Sequence, residues 1–506
     1  MDLKSRGVSR TILAIVIVVV IIVGVGVAFF LLKPEEKPPQ PPPEQQPSQQ
    51  PPQQPPQQQP PQQQPPQQPP QQPKITIYVI SRHPTDILIL ARKEFLKSDL
   101  AKKYNIGDVK TIVIPAGLWK SYIESGKADV AWGGGPTLFD FLYQEGLLQP
   151  LTLDVALEAV KQVPDEVAGM PMKRVDEQGR VYWVAAAIAS FGFTVNNDRL
   201  KDYGLAKPES WSELASPEIG RPLVELGEEA LGIADPTAST SNTRMYEIIL
   251  QKYGWEEGWK ILTLMAANAK VYPGSGDVRD GVIRGEIAVG ITIDFYGYTA
   301  HLENPACEYV MPSGETIVNG DPIALVRGSK HPEAAQAFIA WVLTEGQKIW
   351  LSREINRLPA NPKVFETPEG QERKDLYEAY QVALKTKGIP FNDTLALLYE
   401  QVMQWYFKAT LIDLNDHLKD AWKAILSKYF AGELSDEELE EYMKKLGALI
   451  EFEDPETGEK VLFTQDYAIK IRDKFISDPA FRDALLSAWK RAALEKYKQI
   501  VEELSG

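Results

Sequence analysis

Three clusters of residues carry the chemistry this chain has to offer. The first is ADVAWGGGPTLFDFL (128–142), an apolar run that ends in Gly133, Gly134 and Gly135 and turns into a helical pattern at Pro136. The second is Ser239, Thr240, Ser241 and Asn242, four hydrogen-bonding side chains in a row ahead of another helical pattern. The third is Asp294, Phe295, Tyr296, Gly297 and Tyr298, at the end of the strand-like AVGITID (288–294). Glycine or hydroxyl turns at helix starts suit an anion or a polar ligand head. The first-turn N–H groups have no acceptor within the helix, and the dipole puts positive charge there. A carboxylate beside phenols suits an ammonium group or a hard cation.

The motifs for turnover are missing. A P-loop needs Gly-Lys followed by Ser or Thr, and Leu138 stands where the last glycine of a dinucleotide fingerprint belongs. There is no Ser-His-Asp order, no G-x-S-x-G and no H-E-x-x-H, and His83, His301, His331 and His417 are scattered. Cys307 is the only cysteine, which excludes an intrachain disulfide and a thiolate metal cluster. The chain is therefore expected to bind without turnover, with no cofactor. The alternative is a surface hydrolase working through two carboxylates, drawn from 69 Asp and Glu.

Further candidates sit on neighbouring turns. Ser81, Arg82 and His83 follow the first strand, where Arg82 suits a carboxylate or phosphonate as a bidentate donor, or else a surface ion pair. Gly134 and Gly135 form either a tight turn or a crevice wall, and their place beyond a strand's carboxyl end favours the wall. One residue of Ser239, Thr240, Ser241 and Asn242 must cap the following helix, but four exceed what a cap requires. Tyr272, Gly274 and Ser275 form a similar turn. Asp294 pairs with a ligand ammonium or is engaged in strand-end hydrogen bonds, and Trp132 and Phe191 stack on a solute or belong to the core.

The whole chain frames these sites. Lys and Arg total 54 against 69 Asp and Glu, a net charge of −15 that excludes a nucleic-acid partner. Residues 1–10 hold Lys4, Arg6 and Arg10, and 11–32 are uncharged and long enough to cross a bilayer as a signal anchor. The positive-inside rule then puts the N-terminus in the cytoplasm and the body outside, as a single-pass membrane protein. Residues 33–73 are almost wholly Pro and Gln after a charged start, a disordered linker. In polyproline II such a linker reaches on the order of 120 Å.

From 74 onward strands and helices alternate: KITIYVIS (74–81), a helix with Thr85 as its cap, VKTIVIPAG (109–117), a helix near 118–126, then KADVAWGG. This is the pattern of βαβ units and a mostly parallel sheet, an α/β body.

In order and spacing, ADVAWGGGPTLFDFLYQEGLLQPL, SFGFTVNND, PESWSEL, IADPTASTSN, RGEIAVGIT and GDPIALVRGSKHPEAAQAFIAWV resemble the extracellular solute-binding proteins of ABC importers. The nearest subgroup is the one whose members bind ferric iron, phosphonates or thiamine. The resemblance spans roughly 74–365 and implies a two-lobed, type II periplasmic-binding-protein-like fold. It puts lobe one at 74–190 plus 312–365 and lobe two at 191–311, with Ser190 at the crossing between them. It also implies delivery of a small-molecule solute to an ABC permease and its ATPase. Iron binders of that family use adjacent tyrosines, whereas Gly297 separates Tyr296 from Tyr298 here. The expected solute is accordingly a small polar, anionic organic molecule. Ferric iron, held by Tyr296 and Asp294, is the runner-up. A ligand-sensing module would share the fold.

Residues 366–506 read as helical, with a capping-box pattern at Ser435 and Glu438 and amphipathic spacing over 477–504. They are expected to pack on lobe one. Asn392, Asp393 and Thr394 form a glycosylation triplet.

Overall fold

The computed structural model describes residues 73–505. The expected anchor at 11–32 and all but the last residue of the linker lie outside the described residues. Among the described residues, no helix is long and apolar enough to cross a membrane.

The first lobe opens with β1 (Ile75–Ser81), α1 (Thr85–Phe95), β2 (Ile106–Val113), β3 (Val130–Trp132) and α2 (Pro136–Gln144). β1 runs parallel to both β2 and β3. Pro84 rather than Thr85 stands at the cap of α1, and it offers no side-chain hydrogen bond. The residue before a proline is pushed to extended backbone, so proline itself sets this boundary.

β4 (Val181–Asn196) is the spine of the molecule. Its sequence VYWVAAAIASFGFTVN is apolar without alternation and is buried from Trp183 onward, as expected of a strand covered on both faces. Beyond it lie β5 (Leu231–Ala234), α3 (Thr240–Tyr253), α4 (Trp255–Ala267), β6 (Ala269–Tyr272), α5 (Ser275–Ile283), β7 (Val289–Ile293), α6 (Asp294–Glu303) and β8 (Cys307–Val310). β9 (Val318–Leu325) returns to the first lobe, followed by α7 (Pro332–Leu343) and β10 (Leu358–Pro359). The sheet runs β2-β1-β3-β9-β4-β7-β5-β6, with β8 and β10 also on β4.

The register of β4 divides the molecule. Its first half, up to Ser190, pairs antiparallel with β9, and its second half, from Phe191 to Val195, pairs antiparallel with β7. One strand thus passes from one lobe to the other at Ser190 and Phe191. Gly192, just past the handover, lies so close to β8 that a Cβ there would sit 2.1 Å from the Val310 carbonyl oxygen. Only glycine lets the two backbones approach this far.

The C-terminal helices are α8 (Asp393–Phe407), α9 (Asn415–Phe430), α10 (Asp436–Gly447), α11 (Gln465–Ser477) and α12 (Pro479–Ser505). Ser435 and Glu438 form the capping box at α10. The helix Lys374–Lys385 packs on lobe one, its Tyr377 and Tyr380 against Phe365, whereas the contacts of α8 to α12 run chiefly to lobe two, which corrects the expected docking on lobe one for that part. Asn415 Nδ2 donates to the Ala266 carbonyl at 2.8 Å, Trp422 Nε1 donates to Asn268 Oδ1 at 2.6 Å, and Phe407 stacks on Tyr246. The apolar stripes of α3 and α4 exceed what their own sheet covers, and α8, α9 and α10 bury the remainder. Each large side chain so buried, Trp422 among them, contributes about 1.5–3 kcal/mol. Of α8 to α12, α8 also reaches lobe one, where it packs on α2.

Candidate functional site

The carboxyl ends of β1, β3 and β5 and the starts of α2, α3, α5 and α6 border one cavity between the lobes, of about 340 Å³. That is room for a small metabolite.

On the lobe-one wall, Gly133, Gly134 and Gly135 have φ of 79°, 113° and 84°, a left-handed run that glycine adopts without penalty, and Pro136 then opens α2. The N–H groups of Gly134 and Gly135 both donate to Asp321 Oδ1, at 3.0 and 3.3 Å. The other oxygen, Oδ2, accepts from Arg357 Nη2, and Arg357 Nη1 donates to His83 Nδ1 at 3.1 Å. Burial alone would raise the Asp321 carboxyl; the Arg357 guanidinium outweighs it and holds the group below the usual carboxylate range. Burial, reinforced by Arg357 against the pull of Asp321, pushes His83 down to about 4. His83 is therefore neutral at pH 7, and with Nδ1 accepting, its proton sits on Nε2.

On the lobe-two wall, Ser239 caps α3, its Oγ accepting from Asn242 N at 3.2 Å. Ser239 and Ser241 hydroxyls reach Ser275 Oγ at the start of α5, at 2.5 and 2.7 Å, and Asn242 Nδ2 donates to the same oxygen at 3.1 Å. Two helix starts and three hydroxyls thus converge on one point, with Thr240 beside them on the cavity wall.

Arg244 of α3 ties the walls together. It donates from Nη1 to Thr137 Oγ1 of α2 at 2.8 Å and from Nη2 to Asp393 Oδ1 of α8. Arg82, His83, Arg244, Glu247 and Arg357 all border the cavity, and each keeps one buried polar atom without a partner. Such atoms are costly unless something satisfies them, so their gathering at one cavity marks it as a ligand site.

Of the residues singled out in sequence, the structure brings Arg82, His83, Gly134, Gly135, Phe191, Ser239, Thr240, Ser241, Ser275, Phe295 and Tyr296 to this cavity. The others stand behind the wall. Ser81 Oγ donates to the Trp132 carbonyl at 2.7 Å, and Trp132 is core, edge-on to His83. Ser190 donates from N and Oγ to Asp294 Oδ2, at 2.7 and 3.1 Å. Asn242 Oδ1 accepts from Ala234 N at 3.0 Å, and the Tyr272 hydroxyl donates to Glu286. Asp294, fully buried, also accepts from Phe295 N at 2.7 Å; burial pushes its carboxyl up to about 6 against these donors. The expected Asp294–Tyr296 ligand pair is therefore not presented together to a ferric ion: one carboxylate braces the crossing while the phenol borders the cavity. The glycine amides are likewise already engaged, by the protein's own carboxylate.

Residues missed by the sequence reading are Arg244, Glu247, Asp321, Arg357, Glu400, Gln401 and Gln404. Asp321 lay within the quoted GDPIALV; the others had no local signal.

A family described as bacterial extracellular solute-binding proteins matches residues 89–349. Among curated proteins, the phosphoglycerate transport regulatory protein PgtC of Salmonella typhimurium is 27% identical over 265 residues, 52% of this chain and 62% of PgtC. The chain thus spans about three-fifths of that relative's length. Among solved structures, the GacH receptor of Streptomyces glaucescens superposes with a TM-score of 0.50 at 14% identity, over 73% of this chain and 96% of the receptor, a likeness of fold. The periplasmic binding protein AfuA of Actinobacillus pleuropneumoniae, with fructose-6-phosphate bound, gives 0.47 at 20% identity, over 61% and 98%.

Proposed function

The chain belongs to the bacterial extracellular solute-binding protein family, whose members hand small molecules to ABC permeases, and from that premise we propose that its cleft captures a small anionic organic solute, a phosphorylated one by preference. The observation that carries this reading is the convergence of Ser239, Ser241 and Ser275 at two helix starts, on the same cavity as the incompletely paired Arg82 and Arg357. A phosphate or carboxylate held there accepts from hydroxyls and first-turn N–H groups at once. The name of the relative PgtC, which speaks of phosphoglycerate transport, agrees with an anionic solute. The expected helix at 11–32 tethers the body, and closure of the lobes on solute is the state the permease reads.

The same relative's name includes the word regulatory, which favours a second reading: a sensor that reports the solute rather than delivering it.

The test is a calorimetric and thermal-shift screen of the full chain against phosphoglycerate, inorganic phosphate, citrate, thiamine and ferric citrate. Phosphoglycerate at a hundred times its Kd should add about 2.7 kcal/mol of stability. The paired change Ser241→Ala with Ser275→Ala should weaken it by at least about tenfold, each lost charge-assisted hydrogen bond being worth about 1.5–3 kcal/mol. Stabilisation by ferric iron alone, abolished by Tyr296→Phe, would reverse the preference for an organic anion.

A further inference from the structure

The family match ends at residue 349, yet the wall of the cleft does not. Glu400, Gln401 and Gln404 of α8 border the cavity from outside the matched span. The helix touches both lobes. Asp393 Oδ1 accepts from Thr137 Oγ1 on α2 at 2.9 Å, and Gln404 Nε2 donates to Thr243 Oγ1 on α3 at 3.1 Å. Gln401 lies across from Gly117 in lobe one, its Nε2 3.9 Å from where a Cβ on that glycine would be. Arg244, stacked over Phe391 and bonded to Asp393, anchors the start of the helix.

α8 also brings a carboxyl onto another carboxyl. Glu247, 1% exposed, has an Oε1 without any donor, and Glu400 borders the same cavity from the facing helix. Two carboxylates are both acceptors, so unless one of them holds a proton the pair offers no donor. Burial, followed by the neighbouring carboxylate, pushes Glu247 well above the usual range; burial also raises Glu400, against the pull of Arg244. Asp393, Arg244 and Arg82 are the other charges facing the pair.

A singly protonated pair both donates and accepts at one place. So does the Gln401 amide, which makes no side-chain hydrogen bond with another described residue. A hydroxyl group matches that pattern, since it too donates and accepts. An ammonium group only donates, and it would stand beside the guanidinium groups of Arg244 and Arg82. An apolar group would leave the acids unsatisfied.

We propose that α8 is a third wall of the binding cleft, and that Glu400 and Gln401 read the hydroxyl groups of a phosphorylated polyol whose phosphate sits at Ser241 and Ser275. The inference rests on the anion reading above and adds the determinant at the far end of the solute.

Calorimetry on the full chain with glycerol 3-phosphate, ethyl phosphate and phosphoethanolamine tests it. The wild type should bind glycerol 3-phosphate at least about tenfold more tightly than ethyl phosphate, and phosphoethanolamine no better than ethyl phosphate. Glu400→Met should erase that preference, read as the ratio of the two affinities. Gln401→Leu, at a half-buried position without side-chain hydrogen bonds, keeps the test alive should Glu400→Met fold poorly, and should cut the preference by about threefold. A preference untouched by both variants, or phosphoethanolamine as the tightest probe, overturns the third wall. Equal binding of glycerol 3-phosphate and ethyl phosphate removes this inference and leaves the anion reading standing. Failure of the wild type to bind any of them removes both.

Discussion

Two turn-to-helix junctions border the same cavity and look alike in sequence, but they differ in what fills them. At Gly134 and Gly135 the exposed amides of α2 already hold an anion, the carboxylate of Asp321, itself gripped by Arg357. At Ser239 and Ser241 the hydroxyls meet Ser275 and Asn242, all neutral groups, and among the described residues no carboxylate hydrogen-bonds to them. The physical pull for negative charge is the same at both helix starts. In lobe one the chain supplies that charge from the strand that returns from lobe two, so the junction clasps the hinge. In lobe two the charge is left to come from outside. A helix start that attracts anions is therefore a ligand site only when no internal carboxylate has reached it first.

The sharpest way to break this contrast is to empty the lobe-one junction. Asp321→Ala strands Arg357, whose side chain is 4% exposed, and frees two glycine amides. Removing one partner of a buried pair costs about 3–5 kcal/mol. Urea denaturation of the full chain should show a loss of that size. A loss under about 1 kcal/mol would mean the clasp is not structural and the contrast between walls is false.

His83 gives the next largest effect. Its folded pKa, about 4, lies below the ordinary histidine value of 6.5, so the folded state binds fewer protons than the unfolded chain between those values. Stability is then fully present above pH 6.5 and is lost as pH falls towards 4, by on the order of 3 kcal/mol. Asp294, raised to about 6, works the other way over part of that window, gaining stability as pH falls. Replacing His83 by Gln isolates the first contribution: the variant should lose less stability than wild type between pH 7 and pH 4.5. Identical pH slopes would place the acid sensitivity elsewhere and remove His83 from the clasp.

How far these features are legible in sequence follows from where their partners lie. The βαβ order and the unbroken apolar run of β4 are local, and each strand and helix they imply is present, with boundaries moved by a few residues. Ser239 as a cap is local too. Arg357 is not: it meets His83 from 274 positions away and Asp321 from 36, and no spacing rule announces such a pairing. Residues 393–407 fell within the helical 366–506 expected only to pack, and most of α8 does pack. Glu400 and Gln401 face a cavity because α8 lies across both lobes, and nothing within the helix encodes that. Asp294 shows the converse. Its place at a strand end looked functional, yet three hydrogen bonds at the crossing absorb it.

The smallest effect separates the two walls most cleanly. Gly135 has φ of 84° and ψ of 161°, and a Cβ there would meet nothing within 4 Å. Gly135→Ala therefore introduces backbone strain without a clash, at a cost of about 1–3 kcal/mol. Its amide should relax slightly from Asp321 while the hydroxyls across the cavity keep their places. If the glycine junction is a clasp, phosphoglycerate affinity measured by calorimetry stays within about threefold as the unfolding midpoint falls. A loss of about tenfold or more would mean that the solute itself touches the glycine amides, and that Asp321 gives way to it on binding.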